Sequence, residues 1–209
     1  MARRRGDDKR KRILQAAVKV FARKGYFAAR VAEIARRADV ADGTIYLYFK
    51  SKEALLVALF DEVMAEHLTA ARRDVAAAAG APAKLLAIAE HHLGVLGGNR
   101  ELAVVFQVEL RQSTKFMERF TASWLQDYFA LVDEVIGLGQ REGSLRAELP
   151  RKLVVKALFG MLDETVTSWI LSGKRYELRQ LAAPVVDLLL RGAGSAAAAR
   201  TRAPLARGA

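Results

Sequence analysis

VAEIARRADVADGTIYLYFKSK (residues 31–52) separates into a short amphipathic helix over 31–37, a tight break at Ala38-Asp39-Val40, and a second short helix over about 43–48. The second helix carries Thr44, Tyr46 and Tyr48, hydroxyls and aromatic edges in place of a uniformly apolar face, and Lys50 and Lys52 follow directly. Two short helices joined in this way form a helix-turn-helix, whose second helix suits the major groove of a duplex. The cations behind it suit phosphate. Double-stranded DNA is therefore the expected partner.

The charge distribution points the same way. The chain of 209 residues carries 34 Lys and Arg against 23 Asp and Glu, a net +11, and residues 1–52 hold 15 of the former and 5 of the latter. Nearly all of the excess thus lies in the first quarter, where it can displace condensed counterions from a polyanion. The other 157 residues are near neutral, with 19 against 18.

Composition narrows the class further. An apolar content of 52% is enough for a sizeable core. The absence of cysteine excludes disulfide frameworks, thiolate metal sites and cysteine nucleophiles. The opening MARRRGDDKRKR has cations but no apolar run of signal-peptide type behind them, and no stretch approaches the ~20 apolar residues of a membrane span. A soluble, cytoplasmic protein with no membrane partner is expected. The histidines are His67 and the adjacent pair His91-His92, and neighbouring helical positions diverge by ~100°, so the pair cannot readily share one metal. No GxSxG, phosphate loop or HExxH is present. Neither a catalytic residue nor a metal is expected, and the chain is read as no enzyme.

Strand signals are nearly absent, so the chain is expected to be all-α. Helix 1 spans about Asp8 to Lys24, with Gly25 as a left-handed cap, and Arg3 to Arg5 before it are either a minor-groove arm or a disordered basic tail. Ser51 caps a long helix 4, about 52–79. Gly80-Ala81-Pro82 opens helix 5, which ends at Gly97-Gly98, and Asn99 caps helix 6, about Arg100 to Arg111. Helix 7 covers roughly Ser113 to Arg141, helix 8 runs from Pro150 to about Ser172, and helix 9 from about Glu177 to Arg191, bent or opened at Pro184. The organisation is a helix-turn-helix module at 1–50, a bundle at 51–191 reached through helix 4, and a disordered low-complexity tail at 192–209.

Several side chains carry the chemistry. Gly43 permits close backbone approach to a duplex, and Thr44, Tyr46 and Tyr48 can donate to phosphates or base edges. Asp42 is favoured as the N-cap of its helix, accepting from Thr44 or Ile45, over a base-reading role. Lys52 is placed as a phosphate clamp, while Ile45 and Phe49 pack inward. In the bundle, Phe116, Phe120, Trp124 and Tyr128 recur at every fourth residue and drift only ~40° per step. MLDETVTSWIL (161–171) sets Asp163, Glu164, Thr165, Thr167 and Ser168 in an otherwise apolar helix beside Met161 and Trp169. Polar groups there face solvent or converge on something that hydrogen-bonds them. Plain core packing and a cavity for an amphipathic small molecule fit this pattern equally well.

With these elements laid out, GYFAARVAEIARRADVADGTIYLYFKSKEALL (25–56) resembles the amino-terminal signature of TetR-family transcriptional regulators, most specifically in TIYLYFKSKEAL (44–55). The resemblance implies a nine-helix homodimer whose first three helices bind operator DNA, whose helices 8 and 9 form the interface, and whose bundle takes an inducer. By position the DNA contacts fall on Asp42, Gly43, Thr44, Tyr46, Tyr48 and Lys52. Helix 2 departs from the pattern: Ala29-Arg30 stands where Thr or Ser is common, leaving Arg30 to supply the phosphate contact and the cap to be weaker or differently made.

Farther along, LAVVFQVELRQS (102–113) and GMLDETVTSWIL (160–171), with KRYEL behind, look like the TetR-type FadR regulators, which repress fatty-acid-degradation genes and leave DNA on binding long-chain acyl-CoA. That implies an effector site from Leu93, Leu96 and Val105, the aromatic stripe Phe116, Phe120, Trp124 and Tyr128, and Met161, Leu162, Thr165 and Trp169. Arg111, Lys115 and Arg119 are candidates for the CoA phosphates. Solvated surface charge accounts equally well for Lys115 and Arg119. The subunit interface would use Val154, Leu158, Leu178, Leu181, Val185 and Leu189. The competing readings are an efflux-pump repressor answering to another hydrophobic ligand and a ligand-free DNA-organising protein.

Overall fold

Ile13, Leu14, Ala17, Val18 and Phe21 repeat with the helical period, and their stripe is buried along α1 (Ala2–Lys24). The molecule is seen in a computed structural model that describes residues 2–109 and 124–191. α1 begins at Ala2, so Arg3 to Arg5 continue the helix in place of the separate arm or disordered tail expected there. Arginine is a good helix former, and the single Gly6 costs only about 1 kcal/mol. The expected tail at 192–209 lies outside the described residues.

Gly25 ends α1 at φ +77°, its N–H returning to the Phe21 carbonyl at 2.8 Å. α2 (Val31–Ala38) buries Ile34, Ala35 and Ala38, and Asp39 closes it in the left-handed region at φ 54°. Arg12 of α1 donates to the carbonyls of Ala38 (2.5 Å) and Asp39 (3.2 Å), satisfying the end of α2 and fixing its angle to α1. α3 (Asp42–Tyr48) follows, with Ile45 and then Phe49 turned inward. Ser51 caps α4 (Lys52–Ala77), its hydroxyl oxygen accepting the Ala54 N–H at 3.0 Å.

α5 (Gly80–Gly97) is the central helix of the bundle, burying Leu85, Ile88, Ala89, Leu93 and Leu96. Around it pack α4, α7 (Trp124–Glu142), α8 (Arg151–Leu171), a 3₁₀ turn (Leu178–Leu181) and α9 (Ala182–Arg191). The 3₁₀ turn comes so close that a Cβ on Gly97 would stand 2.8 Å from that of Leu178. Asn99 caps α6 (Arg100–Val104), its side-chain oxygen accepting the Leu102 N–H at 3.0 Å, and α6 widens into a π-turn over Val105–Glu109. Nine α-helices and no strand are present among the described residues.

Two expectations about the carboxy-terminal helices change. Pro184 does not bend a long helix 9. A 3₁₀ turn precedes it, and α9 starts at Ala182, which places Pro184 in a first turn whose N–H groups have no helical partner anyway. Val154, Leu158 and Leu178, expected on a subunit interface, are buried within the chain, because α8 turns its 154, 158, 162, 166 and 169 positions inward. Leu181, Val185 and Leu189 are half-buried, while Leu153 of α8 and Leu188 of α9 are exposed. The buried side chains of the helix-turn-helix and of the bundle form one continuous cluster, with α1 packed on α4, α6 and the π-turn. Among the described residues no helix is long and apolar enough to cross a membrane.

Candidate nucleic-acid interface and effector site

α3 is anchored by Ile45 and offers its other sides to solvent. Tyr46 is 54% exposed and Leu47 82% exposed, Thr44 and Tyr48 are half-buried, and the space about Gly43 is open for 4 Å from where a Cβ would stand. Asp42 is the first residue of α3 and not its cap. The cap is the extended Ala41, whose carbonyl accepts the Thr44 N–H at 2.8 Å, and no side-chain cap bond is made. The Asp42 carboxylate is exposed in the first turn, where the helix dipole favours it.

Arg30 precedes α2 in extended backbone and is exposed. The missing Thr or Ser cap is replaced from the other direction: the Glu33 carboxylate accepts the Arg30 backbone N–H at 3.2 Å. Arginine, a donor only, has nothing to cap with. Lys24 also bonds Glu33, and the Lys24 bond followed by the Arg30 N–H holds this carboxyl below its usual range.

Lys52 occupies a different place from the free phosphate clamp expected. Its ammonium donates to the carbonyls of Tyr26 (2.7 Å), Ala29 (2.9 Å) and Phe27 (3.1 Å) and lies 4.6 Å over the Tyr26 ring. All three of its N–H groups are directed at the turn between α1 and α2, and partial burial lowers its pKa. It staples that turn to the amino end of α4.

In the bundle, Leu93, Leu96, Val105 and Leu162 are buried. Tyr128 of α7 meets His92 of α5, phenol oxygen to Nδ1 at 3.3 Å, and Phe159 of α8 stands edge-on to both rings at 5.9 and 6.0 Å. The His92 Nε2 is buried with no hydrogen-bond partner among the described residues. Burial pushes His92 down to about 4, against the upward pull of Asp163, and raises the Tyr128 phenol, a rise to which Asp163 adds. The imidazole is therefore neutral at pH 7, with the Tyr128 and Phe159 rings beside it and one ring nitrogen unpartnered among the described residues, an arrangement that can orient a polar group on an apolar ligand. Asp163 accepts from Gln107 Nε2 at 2.9 Å, and Thr167 donates to Gln107 Oε1 at 3.3 Å.

The remaining predicted ligand residues divide. Thr165 is half-buried and donates to its own helix at Met161 O, 2.6 Å. Trp169 sits apart from the His92 group: its ring lies under the Arg100 guanidinium at 4.7 Å, its Nε1–H donates to Tyr176 O at 3.2 Å, and Arg100 donates to Ile170 O at 2.6 Å. That set clasps the ends of α6 and α8. Leu93 also borders an open cleft of about 540 Å³ shared with His67, Asp74, His91 and Arg179. Arg111, Lys115, Phe116, Arg119, Phe120 and the side chain of Trp124 lie outside the described residues. No group of three or more metal-ligating side chains occurs among the described residues. The sequence reading missed His92, Gln107 and Glu109. The signal available for the last two was polarity inside LAVVFQVEL, an otherwise apolar run.

Residues 13–59 match the family described as bacterial regulatory proteins, tetR family, and residues 60–192 match YsiA-like protein, C-terminal region. The fatty acid metabolism regulator protein of Bacillus subtilis is 38% identical over 86% of this chain and 93% of its own length. The solved FadR of Bacillus subtilis in complex with stearoyl-CoA superposes with a TM-score of 0.84 at 37% identity, covering 88% of this chain and 99% of that one. The fatty acid degradation regulator FadR of Bacillus halodurans gives 0.82 at 39% identity over 87% and 98%. With its helix-turn-helix, its all-helical bundle and matches along nearly its full length, the chain belongs to the tetR family of bacterial transcriptional regulators.

Proposed function

We propose that this chain is a DNA-binding repressor of fatty-acid-degradation genes, released from its operator when long-chain acyl-CoA occupies the bundle. The observation that carries this reading is an exposed, hydroxyl-bearing α3 joined through one continuous core to a bundle alike in sequence and shape to one that holds stearoyl-CoA. Arg30, Asp42, Gly43, Thr44, Tyr46 and Tyr48 face the operator. Leu93, Leu96, Val105, Tyr128, Met161 and Leu162 border the acyl chain, and the open nitrogen of His92 meets its polar end. By their place in the sequence, Arg111, Phe116, Phe120 and Trp124 are assigned to the same effector site.

The working form is a cytoplasmic homodimer, with the exposed apolar residues of α8 and α9, Leu153 and Leu188 among them, covered by the partner. Two helix-turn-helices then enter successive major grooves about 34–36 Å apart. Acyl-CoA favours a bundle state in which that spacing is wrong. The chain binds its effector without converting it.

Fluorescence anisotropy of a labelled operator duplex tests this. Stearoyl-CoA should release the protein with an affinity loss of about 5–150-fold, while free CoA does not. Release by lipophilic cations, with acyl-CoA inert at about tenfold molar excess, would refute the effector assignment and favour the efflux-type reading.

A further inference from the structure

Three side chains of the π-turn at Val105–Glu109 reach three different bodies. Phe106 stands edge-on to Phe60 of α4, ring centroids 4.4 Å apart. Gln107 is buried and joined to Asp163 and Thr167 of α8. Glu109, only 4% exposed, reaches the turn between α1 and α2 and accepts the Tyr26 N–H at 2.6 Å. Its carboxylate oxygens lie 3.5 and 3.6 Å from where a Cβ on Gly25 would stand. The other side of the same peptide segment is held by Lys52. A buried carboxylate demands strong compensation. Among the described residues Glu109 has its one hydrogen bond to a backbone N–H 83 positions away, directly ahead of the helix-turn-helix. An apolar side chain would fill that space at lower cost, so the carboxylate is placed for the contact.

We propose that this π-turn is the coupling element of the protein: Gln107 registers the arrangement of α8, and Glu109 passes it to the seat of α2 and α3. The proposal rests on the effector-responsive reading above. A π-turn holds one residue more than the α-helical path, and its relaxation rotates the chain beyond it by about one residue, ~100°. Gln107 and Glu109 lie on the same turn, so a shift of α8 that breaks the Gln107 bonds re-aims the Glu109 carboxylate away from Tyr26. That gives a two-state element which both sites bias. Both are positioning residues, with no contact to DNA required.

The test uses the full chain and two near-isosteric variants, Glu109→Gln and Gln107→Leu. For each, operator affinity is measured with and without saturating stearoyl-CoA, and the melting temperature is recorded separately. The wild type should show at least about a fivefold ratio of affinities. Both variants should fall below about twofold while binding stearoyl-CoA within about threefold of wild type. A lowered melting temperature with an unchanged ratio means a merely structural role and overturns the proposal. A wild-type ratio near one refutes the effector reading instead, and a second arm then decides the coupling on its own. The ¹⁵N side-chain amide signal of Gln107 should move when operator DNA is added without ligand, and should not move in Glu109→Gln. A wild-type signal that stays in place overturns the proposal.

Discussion

Replacing Lys52 by Met keeps the aliphatic stem and removes the ammonium that holds three carbonyls. Hydrogen bonds from a charged donor contribute about 1.5–3 kcal/mol each when buried. The Phe27 carbonyl is exposed and regains water, whereas those of Tyr26 and Ala29 are partly buried and lose a partner. Counting those two at the lower end gives a destabilisation of about 3 kcal/mol, or roughly 6–12 °C in melting temperature for a chain of this size. Differential scanning calorimetry reads that shift. The salt dependence of operator binding, measured well below the transition, separates the staple from a phosphate contact. A lost phosphate contact lowers the slope of log K against log salt by about 0.9, while a lost staple leaves it unchanged. An unshifted melting temperature with a reduced slope would refute the assignment of Lys52 to the turn.

Other residues give sharper readings of single claims. Tyr46→Phe on the exposed face of α3 should leave the melting temperature unchanged and weaken operator binding by about 0.5–1.5 kcal/mol per subunit, read by anisotropy. His92 is held neutral to about pH 4 in the folded chain, against an ordinary value of 6.5. The unfolded chain takes the proton first, so the His92 contribution is full above pH 6.5 and is lost as pH falls toward 4. His92→Phe should flatten the stability profile in that window by up to about 3 kcal/mol in denaturant titrations. Leu153→Arg and Leu188→Asp, both at exposed positions, should shift the proposed dimer toward monomer in light scattering while leaving helix content unchanged.

Much of this architecture was legible because it is local. Gly25, Ser51 and Asn99 end or begin helices through contacts within four residues, and each stands where the sequence pattern puts it. Asp42 shows the limit of that reading, since the choice between cap and first residue turns on the backbone angles of Ala41. Lys52 and Glu109 lie beyond it, because their partners are 23–26 and 83 positions away along the chain. Periodicity cannot reveal a π-turn, which adds one residue without changing residue type. The face of α8 was misjudged for a related reason. The helix is apolar on more than one side, with Leu153 and Leu171 exposed opposite the buried Val154, Leu158 and Leu162, so composition alone left the inward side undetermined.

Effector and operator affinities are linked reciprocally. Calorimetric titration of stearoyl-CoA into the free protein and into the protein saturated with operator duplex therefore reads the coupling without following release. Communication between the bundle and the helix-turn-helix predicts binding about 5–150-fold weaker to the operator complex. Equal affinity in the two states would contradict it.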